Sequence, residues 1–190
     1  MALSNNALCT LANFKSYAEE NSDKKDTLLE LYIEAASQKI RDYINYDPIS
    51  ASHVERYDGT GNQKLYLNTR PITVLTYVEV WSGDTGDSVL INEYPIIYED
   101  MNYLFGNGYV FPKGTLNIKV SYTAGYTQND LPAIFIITCL RIAGLMEKEG
   151  GEKGSLGISS VSYDAGSRGY IEIGYQKYLD ELSEYVRMSG

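Results

Sequence analysis

The sequence has too little histidine, cysteine and clustered positive charge for several common kinds of function. It contains one histidine, His53, and two cysteines, Cys9 and Cys139. A Ser-His-Asp triad would have to be built on His53, which no nucleophile motif accompanies. Two cysteines far apart in sequence do not make a zinc-binding set. The formal net charge is -9, with no run of lysine and arginine, which argues against wrapping nucleic acid.

The two cysteines and the first residues indicate where the chain folds. We expect Cys9 and Cys139 to be reduced thiols, with Cys139 in a helix core, rather than a disulfide or a nucleophile. The start, Met-Ala-Leu-Ser-Asn-Asn, lacks the charged beginning and long apolar core of a secretory signal. We therefore expect folding in a reducing intracellular compartment.

A strand followed by an unusually apolar helix is the most informative stretch that is present. Residues 115–122 alternate apolar and polar, with Leu116, Ile118 and Val120 on one face, and Gly125 allows the following turn. Asp130 is placed to cap the helix that follows, with Pro132 in its first turn.

This helix is apolar almost all round up to Met146, with only Thr138 and Arg141 clearly polar. It is too short to span a bilayer, which takes about 20 apolar residues, so we expect no membrane partner. A helix of this kind is buried on several sides. Its second face must therefore contact the rest of the domain or another subunit.

Periodicity predicts three more helices and several strands. The helices are predicted over 10–20, 24–45 and 173–188, and the carboxylates of Asp26, Glu30 and Glu34 on the second are interpreted as a solvated face. A hairpin is predicted between 54–57 and 64–67, and Asn107-Gly108 is typical of another. Further strands are predicted at 74–81, 88–91, 94–98, 103–105 and 109–111.

The predicted fold class is α+β: a helical core of the long N-terminal helix, the apolar central helix and the C-terminal helix, with an inserted antiparallel sheet or hairpins.

The sequence contains no recognisable catalytic, metal or cofactor site, and we predict that the protein is not an enzyme. Asp84-Thr85-Gly86 resembles an aspartic-protease signature, but Ser82-Gly83 precede it where an apolar strand is needed, so it is interpreted as a hairpin turn. The same loop lacks the ligand spacing of a helix-loop-helix calcium site. Residues 150–155 have the composition of a phosphate-binding loop in the wrong order.

An ordered set of short motifs resembles the head-tail connector, or adaptor, proteins of long-tailed bacteriophages and prophages. The motifs lie between Asp23 and Val186: Ala35-Ala36-Ser37-Gln38-Lys39-Ile40, Tyr57-Asp58-Gly59-Thr60-Gly61, Leu65-Tyr66-Leu67, Arg70-Pro71-Ile72, Val120-Ser121-Tyr122-Thr123-Ala124-Gly125-Tyr126, Leu131-Pro132 and Gly157-Ile158-Ser159-Ser160-Val161-Ser162-Tyr163. Each motif is weak alone, and their order is what is specific.

The resemblance implies a structural virion protein without cofactors, located at the head-tail junction and assembled in the cytoplasm of a bacterial host. Such proteins form a ring, expected to be a dodecamer, beneath the portal protein of the DNA-filled head. The ring extends the DNA channel without binding DNA specifically, and it docks a stopper or tail-completion protein. The expected organisation is a single connector domain, 1–190, with a strand-rich insertion at 53–122 and a flexible loop and docking arm at 147–170.

Seven residues are candidates for subunit or partner contacts. They lie on the apolar helix and on the arm: Ile134, Phe135, Arg141, Ile158, Val161, Tyr163 and Tyr170. An alternative function is a glycan- or receptor-binding module that uses a tyrosine-rich sheet around Trp81, Tyr94, Tyr98, Tyr103 and Tyr109. Clustered aromatic rings stack on sugars, but they also cover half-exposed sheets.

Overall fold

The structure is a computed structural model that describes residues 3–81, 88–91, 95–98, 102–150, 160–163, 166–169 and 174–187. The chain divides into two compact units. The helical unit comprises Met1–Asn45 and Pro132–Val186, and the sheet unit comprises Tyr46–Leu131 and Arg187–Gly190. Helices and antiparallel sheets are both present, so the predicted α+β class is confirmed.

The described residues of the helical unit form four α-helices and one short 3-10 helix. They are α1 (Leu11–Ala18), α2 (Asp26–Ile44), α3 (Ala133–Gly150), α4 (Gln176–Asp180) and the 3-10 helix Ser183–Tyr185. No described helix is both long and apolar enough to cross a bilayer. Thr10 caps α1, because its hydroxyl accepts a hydrogen bond from the Asn13 N–H at 3.1 Å.

One apolar stripe of α2 forms much of the helical core. Its residues recur at helical spacing and are all fully buried: Leu29, Ile33, Ala36, Ile40 and Ile44. The overlapping stripe that begins at Leu28 turns outward, and Leu28 is 44% exposed. The sequence pattern allowed both stripes, and packing against α3 selects one of them.

The apolar helix α3 is buried along one side rather than all round. Phe135, Cys139 and Ile142 are fully buried, whereas Ile137 is 42% exposed. The helix runs to Gly150, so residues 147–150 are helical and not part of the loop predicted from residue 147. Glu147 and Lys148 favour helix, which accounts for the extension.

The C-terminal helix is much shorter than the predicted 173–188. After α4 ends at Asp180, the chain leaves α-helical geometry at Leu182, whose side chain is fully buried. Tyr185 in the 3-10 turn then packs edge-on against Phe135, with ring centroids 4.8 Å apart. Tertiary packing of Leu182 and Tyr185 outweighs the helical pattern in the sequence.

In the part of the chain that the structure describes, nine strands form three antiparallel sheets. The strands are β1 (Ala51–Gly59), β2 (Lys64–Tyr66), β3 (Ile72–Trp81), β4 (Ser88–Leu90), β5 (Pro95–Tyr98), β6 (Tyr103–Gly106), β7 (Gly114–Ala124), β8 (Ser160–Tyr163) and β9 (Gly166–Gly169). The sheet unit contains one sheet in the order β1-β7-β3-β4 and one in the order β2-β6-β5, and β8 pairs with β9 as a separate two-stranded sheet.

The predicted hairpin between 54–57 and 64–67 is wrong. β1 pairs with β7, so that Val54 lies opposite Ser121, and β2 pairs with β6, so that Leu65 lies opposite Leu104. The glycine-rich segment between β1 and β2 therefore connects two different sheets. Close packing fixes this path, because a Cβ on Gly59 would lie 1.7 Å from the Pro112 carbonyl oxygen.

Two further strand predictions are also corrected. Residues 109–111 form no strand, although Gly108 has the positive φ of a turn, and Phe111 instead exchanges backbone hydrogen bonds with Gly61 and Asn62. Leu116 does not join the inner face of β7: it has a φ of 49° and is 52% exposed. Its N–H donates to the Asp58 carboxylate at 2.6 Å, which holds it in that conformation.

The buried stripe of α2 provides a stability test. We expect Leu29→Ala to lower the free energy of unfolding by about 2–5 kcal/mol, because it removes a fully buried side chain and leaves a cavity. Leu31→Ala, two positions along the same helix, removes the same atoms from a side chain that is 46% exposed. We expect it to cost less than about 0.5 kcal/mol. Urea unfolding followed by circular dichroism measures both, and equal losses would contradict the assigned face.

Candidate interaction surfaces

Arg141, a candidate contact residue, is engaged within the helical unit. Its Nη1 donates to both carboxylate oxygens of Glu181, at 2.8 and 2.9 Å, and its guanidinium lies 5.4 Å from the centre of the Tyr178 ring. The two side chains of the ion pair remain about one third exposed. Arg141 therefore holds the segment containing α4 against α3, by a pair that solvent partly screens.

The other predicted contact residues have different environments. Phe135 is fully buried against Tyr185, so it offers no surface to a partner in this conformation. Ile134 is half-buried on α3. Val161 and Tyr163 lie in β8, where Val161 pairs with Arg168 and Tyr163 with Gly166. Ile158 and Tyr170 lie outside the described residues, as do Asp84-Thr85-Gly86 and residues 151–159.

One face of the four-stranded sheet carries a cationic and aromatic cluster that the sequence interpretation missed. We call it the outer sheet face; its members lie on one side of neighbouring strands: Val54, Arg56, Tyr77, Glu79, Trp81, Leu90 and Lys119. The pairing places Arg56 and Glu79 on either side of Lys119, and Val54 and Tyr77 on either side of Ser121. Val54 and Leu90 are 61% and 63% exposed.

Cation-ring contacts organise the outer sheet face. The Arg56 guanidinium lies 4.4 Å from the centre of the Trp81 ring, and Lys119 lies 5.4 Å from the Tyr77 ring. Lys119 also pairs with Glu79 at 3.5 Å. Hydrogen bonding with Ser88 and the charge of Lys119 lower the pKa of Glu79, and contact with the Tyr77 hydroxyl raises the pKa of Lys119. Both side chains are therefore charged near neutral pH.

A signal for this face was present in the sequence. Along β1, Val54 and Arg56 alternate with His53, Glu55 and Tyr57, and along β7 Lys119 separates the apolar Ile118 and Val120. Alternation in a strand places these residues on opposite faces. What the sequence did not provide is the register that brings Arg56, Lys119 and Trp81 together.

On the inner face of the sheet, Glu55 is held by two tyrosines. Tyr122 donates a hydrogen bond to Glu55 at 2.8 Å, and Tyr57 also donates to this carboxylate. The hydroxyl of Tyr57 accepts from the Asn68 N–H at 3.1 Å, and His53 stacks on Tyr122 with ring centroids 5.1 Å apart. This network ties β1 to β7.

Burial sets the pKa values of the two phenols. It raises the pKa of Tyr122 to about 12, and burial together with the Glu55 carboxylate raises the pKa of Tyr57 further. Both hydroxyls therefore stay protonated near neutral pH and act as hydrogen-bond donors. Among the residues that the structure describes, no three His, Cys, Asp or Glu side chains are grouped so as to hold a metal ion.

The aromatic residues proposed for glycan binding are spread over separate contacts. Trp81 is covered by Arg56, Tyr103 packs against Tyr66 at 5.6 Å in the other sheet, and Tyr109 packs against Phe111. No shared stacking platform forms among these three. Tyr94 lies outside the described residues, and only the backbone of Tyr98 is described.

Comparisons with known proteins give one family and one set of structures. A family model described as head completion protein matches residues 7–146. The chain is similar to a chain in the neck of the empty GTA particle computed with C6 symmetry, with a TM-score of 0.63 and 16% identity, covering 100% of this chain and 95% of that one. Comparison with curated proteins gives no match.

Two related structures give similar TM-scores and sequence identities. For the neck of the native GTA particle computed with C12 symmetry, the TM-score is 0.62 at 16% identity, with 100% and 95% of the two chains covered. For the virion of the native gene transfer agent, it is 0.62 at 14% identity, with 95% and 91% covered. At such low identity, the similarity concerns the fold.

The tyrosine network predicts how stability depends on alkaline pH. The pKa of Tyr122 is about 12 in the folded chain and about 10 when unfolded, so the unfolded state releases its proton first. The stability that this raised pKa contributes is therefore fully present below a pH of about 10, and it is lost as pH rises toward about 12. Tyr122→Phe should reduce this slope in urea unfolding measured across that range.

Tyr17→Phe is the control for removing a tyrosine hydroxyl, because Tyr17 lies on α1 and is 53% exposed. Spectra of chains labelled with carbon-13 on the tyrosine rings, assigned with Tyr57→Phe and Tyr122→Phe, report ionisation of each phenol directly. Ionisation of Tyr122 at the ordinary value would contradict the network.

Proposed function

The chain belongs to the head completion protein family, and from this premise we propose that it is a structural protein that forms a ring at the neck of a phage-like particle. The ring lies between the portal of the DNA-filled head and the tail. The family match over residues 7–146 is the observation that carries the proposal. The shared fold with chains from necks computed with C6 and C12 symmetry supports a ring of twelve copies.

The charge of the chain suits a channel through which DNA passes without binding. The formal net charge of -9 leaves the subunit with a surplus of carboxylates. Phosphate binding needs clustered lysine and arginine, and an acidic wall repels the DNA backbone. DNA therefore slides through the ring rather than adhering to it. The proposed place of assembly is the cytoplasm of the bacterial host.

The proposed docking arm includes the hairpin of β8 and β9. In this organisation the whole chain is one connector domain and the strand-rich segment 53–122 is an insertion. Among the described strands, β8 and β9 pair with each other alone, from Ser160 opposite Gly169 to Tyr163 opposite Gly166. Its outer backbone edges are available for strand addition by a neighbouring protein. The portal protein and a stopper or tail-completion protein are the proposed partners.

The outer sheet face is the proposed contact with the next copy in the ring. Tryptophan, tyrosine and arginine are enriched in the energetically important centres of interfaces, and here they lie beside the exposed apolar residues Val54 and Leu90. In a ring of identical subunits, each contact joins two different faces. The cations Arg56 and Lys119 attract an acidic surface on the neighbouring copy of this acidic chain.

Reconstitution on heads tests the proposal. Portal-bearing heads from the matching phage that lack this protein are mixed with purified chain and viewed by negative-stain microscopy. We expect an added ring under the portal and recovery of tail joining. Heads that remain bare with the wild-type chain would contradict the proposed function.

Charge reversal tests the ring contact separately. Arg56→Glu with Lys119→Glu should reduce the fraction of heads that carry a ring by at least about tenfold, because it replaces attraction to an acidic neighbour by repulsion. Lys64→Glu with Lys113→Glu is the matched control, since it makes the same change in net charge away from the outer sheet face. Lys64 lies over an aromatic ring in the other sheet, that of Tyr103 at 4.8 Å, and Lys113 is exposed. Circular dichroism verifies that each variant is folded. Normal ring formation by Arg56→Glu with Lys119→Glu would exclude this face while leaving the function in place.

A further inference from the structure

The fold brings the two cysteines of the chain together. Cys9 immediately precedes Thr10, the cap of α1, and Cys139 lies in α3, 130 positions later. Their sulfur atoms are 3.4 Å apart, and both residues are free thiols. Cys9 is 3% exposed and Cys139 is fully buried. The sequence alone did not indicate this contact, because the two cysteines are 130 positions apart.

The cysteine pair lies where three segments of the helical unit meet. Ser37 of α2 accepts a hydrogen bond from the Leu8 N–H at 3.1 Å, and its hydroxyl lies 3.5 Å from the sulfur of Cys139. The same sulfur is 3.8 Å from the carbonyl oxygen of Ile33. The segment before α1 is therefore held against α2 and α3 at this point, with the two thiols at the centre.

The arrangement suits a covalent link better than a metal site. The described residues offer no third His, Cys, Asp or Glu ligand beside the two sulfurs, whereas structural zinc needs four ligands. A disulfide needs a sulfur separation of about 2 Å, so the sulfurs must approach by about 1.4 Å. The hydrogen bond that Cys9 donates lowers the pKa of the Cys139 thiol, and the same contact together with burial raises the pKa of the Cys9 thiol. Cys139 is therefore the thiol that more readily gives the reactive thiolate.

We propose that Cys9 and Cys139 form a redox-controlled site in which a two-electron oxidant of the peroxide class converts the neighbouring thiols into an intramolecular disulfide. One thiol gives up two electrons to the peroxide and becomes a sulfenic acid, with release of one water. The sulfur of the second thiol then attacks the sulfenic sulfur, the S–O bond breaks, and a second water leaves. Two thiols and one peroxide thus yield one disulfide and two waters.

The disulfide joins the N-terminal segment to α3 across the whole intervening chain. Closing a loop of 130 residues restricts the unfolded chain strongly. The link forms only where thiols are not kept reduced, which distinguishes the inside of a bacterium from its surroundings. If the protein sits in a particle, as proposed above, the pair is reduced during assembly and oxidised after release. The pairing itself does not depend on that proposal.

Mass spectrometry of the full chain tests the link. The purified, reduced protein is treated with hydrogen peroxide, and its intact mass is measured under denaturing, non-reducing conditions. We expect the loss of two hydrogens, a non-reduced peptide pair containing Cys9 and Cys139, and reversal by dithiothreitol. An unchanged mass, oxygen added to single sulfurs, or a dimer linked between chains would overturn the proposal.

Stability provides a second readout. The oxidised chain should unfold at a temperature at least about 5 °C higher than the reduced chain. Cys9→Ser should remove the difference between oxidised and reduced samples, and Cys139→Ser should do the same. If a serine at the buried position 139 impairs folding, Cys9→Ser and the mass of the wild-type chain still decide the question. An equal shift in Cys9→Ser would exclude the pair as its cause.

Discussion

Pairing of β7 along both of its edges is the constraint on which the sheet unit depends. β1 satisfies the backbone groups on one side and β3 those on the other, so β7 lies inside the sheet and the inner-facing Ile118 and Val120 are fully buried. The strand ends where Gly125 adopts a φ of 106°, and a Cβ there would lie 2.7 Å from the backbone of Ile49. Only glycine fits this turn, from which the chain leads toward α3.

Features set by local pattern were predictable from the sequence, whereas pairing and contacts between distant segments were not. Alternation in 74–81 and the glycine after β7 predicted a strand and a turn that are confirmed. The predicted hairpin after β1 is wrong because the true partner of β1 is β7, with five other described strands between them in the chain, and local turn chemistry carries no information on it. The predicted length of the C-terminal helix is wrong, because burial of the Leu182 side chain ends the helix early.

The same distinction applies to the candidate surfaces. The ordered motifs led to the connector resemblance, which the family match confirms. Arg141 was recognisable as an unusual charge on an apolar helix, but its partner, Glu181, lies 40 residues away, and only the fold brings the two together. Phe135 has the same apolar character as its neighbours in the sequence, and only its contact with Tyr185 marks it as core. The outer sheet face depends on register, which a single sequence does not provide.

The division of the helical unit into two segments also determines the order in which it can be completed on the ribosome. Ile33 of α2 contacts Cys139 of α3, and these residues are 106 positions apart. At ordinary rates of synthesis, α2 therefore waits roughly 5 to 20 s for its partner. During that interval every strand of the four-stranded sheet is made, while the apolar stripe of α2 lacks α3, its main described partner, and is covered by α1 and the segment before it. The nascent chain is consequently most in need of chaperone protection after its N-terminal helices have emerged, and the four-stranded sheet can form before α3 is made.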